Sequence, residues 1–409
     1  MTPDWTLLIF LVTYTGVALG HIPPWALDRT GFALLGAIAM VVSGALTIPQ
    51  AVAAVDLPTI ILLYALMIVS SQLRLGGFYT WTVLRLTRYL DQPRLFLALV
   101  MAVGGALSAL LTNDIVCLAF TPVLVVTACR RRLNPIPFLL GLAAAANIGS
   151  AITIIGNPQN MLIGQLGRLD FGRFAAWCSP PSVAALAAAF GFICWVYRNR
   201  FEGEGAACGE ADASGWPAFN RWQTTKGLLV VGGLIGLFFT PVPRELSAIA
   251  LAGVLLCSRR MSTRRLLGFM DWHLLTLFVG LFIVIQGIET TGWPARIITA
   301  LAAAGIDLRD LVLLAGVSTV LSNLVSNVPA VMLLTRFLDP AAPAQWYALA
   351  VSSTFAGNLI TIGSIANLIV IEGARNLGIS VTFKEHARVG VPVTLLSLGI
   401  LLGWIWVTG

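Results

Sequence analysis

Stretches of apolar residues long enough to cross a membrane follow one another along nearly the whole chain. A helix needs about 20 consecutive apolar residues to cross the hydrocarbon core of a bilayer. Of the 409 residues, 58% are hydrophobic and 11% are charged, whereas soluble domains carry about 25% charged residues. The chain therefore lacks the charged surface of a soluble enzyme or a nucleic-acid-binding protein, and its apolar content excludes disorder. The sequence predicts an all-α integral membrane protein embedded in the lipid bilayer.

Two of the apolar stretches are too long for one crossing. These stretches, 94–129 and 309–337, are each interrupted near the middle by polar residues, at 112–114 and 326–329. Because each half has only about 17 residues, we predict two re-entrant hairpins with non-helical tips; two ordinary crossings per stretch are the alternative. The other spans are predicted at 5–20, 31–47, 58–75, 136–166, 177–197, 226–241, 245–258, 273–290, 346–373 and 389–408.

Basic residues predict the orientation of these spans. With both termini outside, nineteen Lys and Arg residues fall in cytoplasmic segments and six fall outside. This distribution follows the positive-inside rule, and it holds only if 94–129 enters and leaves on the cytoplasmic side. We therefore expect a multi-pass protein of the bacterial inner membrane with both termini in the periplasm. The net charge of +7 reflects this orientation and not a basic partner surface.

The cysteines are not arranged as a metal site or as a disulfide framework. None of the six stands at metal-ligand spacing from another, and most lie in apolar runs. We expect them to be small core residues, and we do not expect a disulfide framework. Cys208, in the polar segment between the two halves of the chain, is expected to face the cytoplasm.

The two halves of the chain share landmarks at a nearly constant offset. They predict a first repeat at 1–200 and a second at 226–409, each with five spans and one hairpin, joined by a flexible cytoplasmic linker at 201–225. Since five is odd, the second repeat would be inverted, which is typical of secondary transporters with broken helices. Asp56 and Asp271 precede matching spans and are predicted helix N-caps. The matched residues are Asp56 with Asp271, Gly77 with Gly292, Asn113 with Asn327, Asn160 with Asn367, Gly167 with Gly378 and Pro181 with Pro392.

Four polar breaks lie in apolar surroundings, at 112–114, 147–160, 323–329 and 354–367. Unwound backbone there would expose N–H groups, which suit an anion, and C=O groups, which suit a cation. The same side chains could instead cap helices or bond between helices. The residues predicted to break helices are Gly156, Pro158, Pro329, Gly357 and Gly363. The candidate substrate-binding residues are Asn113, Asn157, Asn160, Ser326, Asn327, Ser364 and Asn367. The candidate ion-coupling residues are Asp114, Thr112, Asn147, Thr153, Asn358 and Thr361.

Asp114 is the only carboxylate in the predicted midplane layer, and its repeat mate is Val328. An ionisable residue at that depth is costly and marks a coupling site; the alternative is an N-cap of the second hairpin arm. No Lys or Arg falls in the four breaks, so a bound anion would depend on helix N-termini and neutral donors. No second buried Asp, Ser–His pair or zinc triad supports an intramembrane protease. We therefore predict no catalytic residue, metal or cofactor besides a coupling proton or sodium ion.

The motifs at 111–114, 155–160, 326–329 and 363–368 (LTND, IGNPQN, SNVP and GSIANL) resemble those of the ion transporter superfamily. This superfamily includes arsenite efflux permeases, citrate–metal symporters, sodium/dicarboxylate symporters and a sodium/proton antiporter branch. The resemblance covers nearly the whole chain and is greatest to bacterial anion transporter permeases with a citrate-transporter-like domain. It implies about ten transmembrane helices, two opposed hairpins whose tips meet two broken helices, a homodimer and elevator-type alternating access. An arsenite-type member would also have a soluble ATPase partner.

The hairpin tips differ between branches of this superfamily. The sodium/dicarboxylate branch has Ser-Asn-Thr at both tips, whereas this chain has Thr-Asn-Asp and Ser-Asn-Val, which are more similar to the arsenite-permease and proton-coupled branches. We therefore expect an ion-coupled secondary active transporter of a small anion or oxyanion. An arsenite/antimonite efflux permease and a sodium-coupled di/tricarboxylate symporter are the alternatives. A passive anion channel is disfavoured because it needs a continuous polar path, and the polar clusters occur only near mid-depth.

Overall fold

The structure, a computed structural model, describes residues 3–20, 27–202, 216–258, 261–303 and 307–408, and these residues are mostly helical without a named β-strand. The helices of the first half are α1 (Pro3–Leu19), α2 (Arg29–Val42), α3 (Ile48–Ala54), α4 (Leu57–Leu75), α5 (Phe78–Leu86), α6 (Pro93–Leu110), α7 (Asn113–Arg130), α8 (Ile136–Ser150), α9 (Pro158–Leu166) and α10 (Phe171–Val196). The helices of the second half are α11 (Arg221–Phe238), α12 (Arg244–Leu256), α13 (Thr263–Leu267), α14 (Trp272–Glu289), α15 (Trp293–Ala303), α16 (Leu311–Val325), α17 (Asn327–Leu334), α18 (Pro343–Ala356), α19 (Ile365–Arg375) and α20 (Phe383–Thr408).

Several of these helices have the length and composition of membrane spans. Within the described residues, α4, α6, α7, α10, α14 and α20 are long and apolar enough to cross a membrane, and α1, α2, α8 and α16 are shorter apolar helices. The prediction of a helical integral membrane protein is therefore confirmed. The predicted number of about ten spans stays a prediction.

The helix breaks occur where the polar residues predict them. The predicted span 136–166 contains α8 and α9, and the predicted span 346–373 contains α18 and α19. Each predicted hairpin stretch contains two helices as well, and α6 and α7 are each long and apolar enough for a crossing of their own. The re-entrant hairpins therefore stay a prediction, and the name is kept here for these two helix pairs. Leu111 and Thr112 join α6 to α7, whereas Ser326 alone joins α16 to α17.

Two aspartates cap equivalent helices of the two halves, as predicted. The Asp56 carboxylate accepts a hydrogen bond from the backbone N–H of Thr59 in α4 (3.1 Å), and Asp271 accepts one from Leu274 in α14 (2.9 Å). Each bond satisfies an N–H group that the first turn of a helix leaves unpaired. The starts of α4 and α14 are therefore set by the same chemistry.

Helices of one half pack against helices of the other. Helix α2 packs on α14, α4 packs on α12, and α10 packs on α20. Within each half, α6 packs on α8 and α16 packs on α18. The first arm of each hairpin is thereby held against the broken helix of its own half.

Helices α6 and α8 approach so closely that only glycine fits at their contact. A β-carbon at Gly149 of α8 would lie 2.4 Å from the carbonyl oxygen of Gly105 in α6 and 2.5 Å from its α-carbon. Small residues let helices in membranes pack backbone against backbone, which is how they gain contact energy without a hydrophobic effect between them. This contact fixes the first hairpin relative to the first broken helix.

The C-terminal part of the predicted linker 201–225 is helical. Helix α11 already begins at Arg221, because the Asn220 side chain accepts a hydrogen bond from the backbone N–H of Gln223 (3.1 Å) and caps the helix. Residues 203–215 of the linker, including Cys208, lie outside the described residues, so the predicted exposure of Cys208 to the cytoplasm stays a prediction.

The expectation that all cysteines are small core residues is wrong for Cys129, which is disulfide-bonded. Cys129 lies half-buried one residue before the end of α7 and next to Arg130, so it is not a core residue of an apolar run. The remaining described cysteines, Cys117, Cys178, Cys194 and Cys257, are free.

We expect Gly149→Ala to lower the free energy of unfolding by about 1–3 kcal/mol, because the new methyl group would overlap the Gly105 backbone. Thermal unfolding of the purified protein in detergent measures the effect. Gly236→Ala is the matched control, since nothing lies within 4 Å of a β-carbon at Gly236 in α11. That control is expected to be as stable as the parent protein or slightly more stable. Equal stability of the two variants would contradict the close contact.

Cys257, which is exposed and free after α12, tests the predicted orientation. We expect an impermeant thiol reagent to label Cys257 in inside-out vesicles and not in spheroplasts, because the positive-inside rule places the connection from α12 to α13 in the cytoplasm. Thr240→Cys, in the exposed connection from α11 to α12, is the control for the opposite face and should label in spheroplasts. Labelling of Cys257 in sealed spheroplasts would overturn the orientation.

Candidate substrate site

Four helices begin around one small cavity. The cavity has a volume of about 30 Å³, which is room for one or two water molecules. Helices α7 and α17 reach it from the two hairpin tips, and α9 and α19 reach it from the two helix breaks. The lining residues are Asn113, Asp114, Pro158, Gln159, Leu274, Ser326, Asn327, Val328, Gly363, Ser364 and Ile365.

The helix N-termini give this cavity a positive potential. The first turn of a helix carries unpaired N–H groups and the positive end of the helix dipole. In α9 the Asn157 side chain accepts from the N–H of Asn160, and in α19 Ser364 accepts from Ala366. In α7 and α17 no side chain caps the first turn. The two hairpin helices therefore present N-terminal turns without a side-chain cap, which is an arrangement that suits an anion.

Asparagine side chains hold the first break open. Pro158 begins α9, where its missing N–H costs nothing, and the Asn160 amide donates to the carbonyls of Ser150 (3.2 Å) and Thr153 (3.0 Å) that the break leaves unpaired. No side chain fits at Gly156, because a β-carbon there would lie 2.2 Å from the Ser150 carbonyl oxygen. The break is therefore built from the amides of Asn157 and Asn160, which both bond to the backbone, and from one position without a side chain.

The second break uses the same construction 207 residues later. The Asn367 amide donates to the carbonyls of Gly357 (2.7 Å) and Ile360 (3.3 Å). A β-carbon at Gly363 would lie 2.8 Å from the amide oxygen of Asn323. Asn160 and Asn367 are thus equivalent in position and in bonding, although the second break lacks a proline.

Hydrogen bonds also join each break to the other half of the chain. The Asn147 amide of α8 donates to the Oδ1 atoms of Asn358 (2.8 Å) and Asn367 (3.1 Å), and its own Oδ1 accepts from the Ser364 hydroxyl (2.8 Å). In the opposite direction, the Thr354 hydroxyl of α18 accepts from Asn157 (3.2 Å). Asn147 and Thr354 are themselves 207 residues apart. The two breaks are therefore bonded reciprocally.

The tip asparagines carry amide oxygens without a hydrogen-bond partner. Asn113 and Asn327 are the first residues of α7 and α17, and they are 6% and 9% exposed. Among the described residues, neither Oδ1 atom has a partner. A buried acceptor of this kind suits a hydroxyl donor or a cation.

Ser326 joins α16 to α17 in a backbone conformation that side chains disfavour. Its φ angle is +76°, a region that only glycine adopts readily. Such a conformation costs about 1–3 kcal/mol and is held by its surroundings, most often at ligand-binding positions. The second tip is therefore tighter than the first, which uses two linking residues.

The Asp114 carboxylate lines the cavity without a charged or hydrogen-bonding partner in the described part of the chain. Thr112 occupies the N-cap position of α7 and Asp114 is the second helical residue, so the alternative that Asp114 caps this helix is wrong. Among the described residues that line the cavity, none is Lys or Arg. Asp114 is therefore the one ionisable side chain in that lining.

The structure brings most of the predicted site residues together, in two layers. The predicted residues that line the cavity are Asn113, Asp114, Pro158, Ser326, Asn327, Gly363 and Ser364. The predicted residues that form the breaks behind it are Asn147, Gly156, Asn157, Asn160, Gly357, Asn358 and Asn367.

Four predicted residues have other surroundings. Thr112 donates to the Ser70 hydroxyl (3.4 Å), and Thr153 donates to the Ala109 carbonyl. The Pro329 carbonyl accepts from the Tyr14 hydroxyl (3.3 Å), and Thr361 begins a 3₁₀ turn.

Several site residues were not predicted. Gln159, Val328 and Ile365 line the cavity because they directly follow a break or a tip, which is a signal that the sequence contains. Leu274 lines it as well, but an apolar residue in a span has no distinguishing pattern. His386 is 4% exposed and lies with Asn358 at a second cavity of about 10 Å³, and nothing in its sequence surroundings marks it.

Comparisons with known proteins show which family this chain belongs to. Residues 5–356 match the family model described as citrate transporter. A 46 kDa membrane protein of Mycobacterium leprae is 28% identical, with 97% of each chain covered. A silicon efflux transporter of Oryza sativa is 29% identical over 93% of this chain and 92% of that one. An arsenical pump membrane protein of Yersinia enterocolitica is 23% identical over 83% of each chain.

The fold is also similar to that of a solved transporter. The crystal structure of the YdaH transporter of Alcanivorax borkumensis superposes with a TM-score of 0.55 and 16% identity, covering 99% of this chain and 97% of that chain. At this identity the similarity concerns the fold alone.

We expect Asn147→Ala to lower the free energy of unfolding by about 1–3 kcal/mol, because it leaves the Asn358 and Asn367 oxygens buried without a donor. Unfolding by heat or urea in detergent measures the effect. Asn376→Ala is the matched control, since Asn376 is exposed at the end of α19, and its effect should stay within about 0.5 kcal/mol. Equal effects of the two substitutions would show that the bonds between the breaks contribute nothing to stability.

Proposed function

The chain belongs to the citrate transporter family, and we propose that it is an ion-coupled secondary transporter of a small oxyanion across the bacterial inner membrane. One observation carries the proposal. A cavity surrounded by four helix N-termini contains the carboxylate of Asp114 and, among its described lining residues, no Lys or Arg. Such a cavity attracts negative charge through the backbone and repels it through one titratable group.

This opposition supplies a coupling mechanism. An anion beside an ionised Asp114 would be repelled, so the anion binds well only when Asp114 is protonated or paired with a sodium ion. The coupling ion and the substrate then raise each other's affinity, which is the condition for coupled transport. Asn113 and Asn327, with unpartnered amide oxygens, are further ligands for a cation at this place.

The size and charge of the cavity support a small substrate. A tricarboxylate carries several negative charges, and the described lining residues include no Lys or Arg to neutralise them. Each added charge on the substrate raises the cost of removing it from water. The volume of about 30 Å³, which is room for one or two water molecules, would have to increase for either kind of substrate, and least for a small oxyacid. The relatives include a silicon efflux transporter and an arsenical pump membrane protein. Silicon and arsenic dissolve in water as small oxyacids, which supports a substrate of this class. Their hydroxyl groups could donate to the Oδ1 atoms of Asn113 and Asn327.

Arsenite or antimonite efflux is the second candidate, favoured by the same two unpartnered acceptors and by the resemblance to the arsenical pump membrane protein. In that case a soluble ATPase is a proposed partner. A neutral acid would not be repelled by Asp114 and would need no coupling cation for binding. Substrate competition in a reconstituted system separates this candidate from the first.

Alternating access by two inverted repeats is part of the proposal. The pairing of α2 with α14 and of α4 with α12 and the equivalent bonds of Asn160 and Asn367 support it. Leu274, in the first turn of α14, lines the cavity, whereas no described residue of α4 does. The cavity therefore lies nearer the start of α14, on the face predicted to be cytoplasmic. We propose elevator-type movement and a homodimer, as the resemblance implies.

We expect Asp114→Asn to remove gradient-driven transport while leaving the protein folded. In proteoliposomes, the accumulation of radiolabelled arsenite or citrate, or of germanic acid as a silicic acid analogue, should no longer respond to an imposed proton or sodium gradient. The loss should be about tenfold or more, in line with coupling free energies between sites. Asp310→Asn is the matched control, because Asp310 caps α16 from an exposed position outside the cavity.

The outcomes of this experiment separate the hypotheses. Unchanged gradient-driven accumulation in Asp114→Asn would exclude Asp114 as the coupling group. Flux in the parent protein that never saturates and never runs uphill would favour a channel. Strong accumulation of citrate that is independent of pH and sodium would contradict the proposed electrostatics.

A further inference from the structure

A surface pocket lined by arginines lies at the meeting point of α10 and α20. We call it the arginine pocket, and it has a volume of about 250 Å³. The C-terminal end of α10 and the residues after it form one wall, and the second turn of α20 forms the other. Its lining residues are Trp195, Val196, Arg198, Asn199, Arg200 and Arg388.

The three guanidinium groups of the arginine pocket have no acidic partner among the described residues. Arg198, Arg200 and Arg388 are exposed, and none takes part in a salt bridge there. The nearest acid on α20, Glu385, is already engaged, because its carboxylate accepts from the Thr382 backbone N–H and hydroxyl (both 2.9 Å). Three unneutralised positive charges therefore face one concave surface.

Tyr197 shows that these charges share one environment. Its side chain is buried beside the pocket, and burial raises the pKa of the Tyr197 hydroxyl to about 12, with Glu385 adding to the rise and Arg388 and Arg200 opposing it. Two of the pocket arginines, Arg200 after α10 and Arg388 in α20, are thus close enough to act on the same hydroxyl. The arginines of the pocket therefore form one charged cluster.

The length of α10 and the exposure of Trp195 indicate that the arginine pocket lies at a membrane surface. Helix α10 has 26 residues and a length of ~39 Å, which exceeds the ~30 Å hydrocarbon core, so an end of the helix reaches the headgroup layer. Trp195, in its last turn, is 62% exposed, as is typical of aromatic residues anchored at that layer. The charge distribution predicts this face to be cytoplasmic, where anionic lipids attract basic segments.

An apolar surface continues from the pocket towards the membrane interior. Leu395 follows Arg388 by two helical turns on the same face of α20, and it is 62% exposed. A lipid with its phosphate at Arg388 could lay an acyl chain along this face. A free phosphate ion would use the arginines and not the leucine, so the combination favours a lipid.

We propose that the arginine pocket binds the phosphate group of an anionic membrane lipid at the ends of α10 and α20. Arginine suits this ligand because its planar guanidinium donates two parallel hydrogen bonds to phosphate oxygens. Trp195 contacts the headgroup region, and the exposed face around Leu395 contacts the acyl chain. This site lies away from the substrate cavity and does not depend on the transported substrate.

The test measures binding of phosphatidylglycerol to the full-length protein in phosphatidylcholine nanodiscs, using native mass spectrometry and thermal unfolding. We expect saturable binding and a higher melting temperature for the parent protein, both weakening as salt rises. Arg198→Gln combined with Arg388→Gln should weaken binding by about thirtyfold, from two lost charge contacts. Arg264→Gln combined with Arg265→Gln removes the same charge from the exposed helix α13 and should leave binding unchanged.

Each other outcome overturns the proposal. Equal loss in the two double variants would reduce the effect to net charge, and no loss in either would exclude the site. The same stabilisation by inorganic phosphate in phosphatidylcholine alone would assign the pocket to a soluble anion. If the pocket variant fails to fold, Arg388→Lys replaces it. This substitution keeps the positive charge but removes the planar guanidinium. It should weaken lipid binding and leave the salt dependence of binding as in the parent protein.

Discussion

A polypeptide can leave the helical conformation inside an apolar environment only if its freed backbone groups find hydrogen-bond partners within the protein. In this protein the partners are side-chain amides. Asn160 binds two carbonyls of the first break and Asn367 binds two of the second, while Asn147 links Asn367 to Ser364 and Asn358. Without these bonds neither α9 nor α19 could begin where it does, and the cavity would lose two of the four helix N-termini around it. The cavity therefore depends on asparagines that mostly do not line it.

That division explains how far the sequence could predict the site. Polar residues in apolar stretches identify all four breaks, and Gly156-Asn157-Pro158 locates one of them to the residue, because proline and glycine restrict backbone geometry locally. The same reasoning treats every asparagine alike. Asn157 and Asn160 resemble Asn113 in the sequence, yet their amide N–H groups bond to the backbone and to Thr354, whereas the Asn113 side chain makes no hydrogen bond to the described residues. The bond from Asn157 to Thr354 joins residues 197 apart, which no local pattern contains. The other bonds join residues 3 to 10 apart, but the sequence alone does not indicate which donor meets which acceptor.

The fold shows the same limit. Apolar length predicts where helices cross, and Asp56 and Asp271 predict where two of them begin. The pairing of α6 with α8 through Gly105 and Gly149 could not be predicted, because two glycines in apolar runs give no indication of their partner. The disulfide at Cys129 was missed because the expectation rested on cysteines in apolar runs, whereas Cys129 lies at a helix end. The tips themselves differ between the halves, with Asp114 opposite Val328 and one linking residue at Ser326 in place of two. The hydrogen bonds of the two breaks are alike at Asn160 and Asn367, whereas the residues of the two tips differ.

The contact between Gly105 and Gly149 has a mechanical consequence. Packed helices slide past one another when side chains at their interface can change rotamer, which is how shear motions proceed in small steps. At this contact backbone faces backbone, with no rotamer to exchange and no room for a passing side chain. We therefore expect this contact to resist sliding of α6 along α8, so that the first hairpin tip and the first break move together. Any displacement of the cavity then has to be absorbed elsewhere, at interfaces where longer side chains allow sliding.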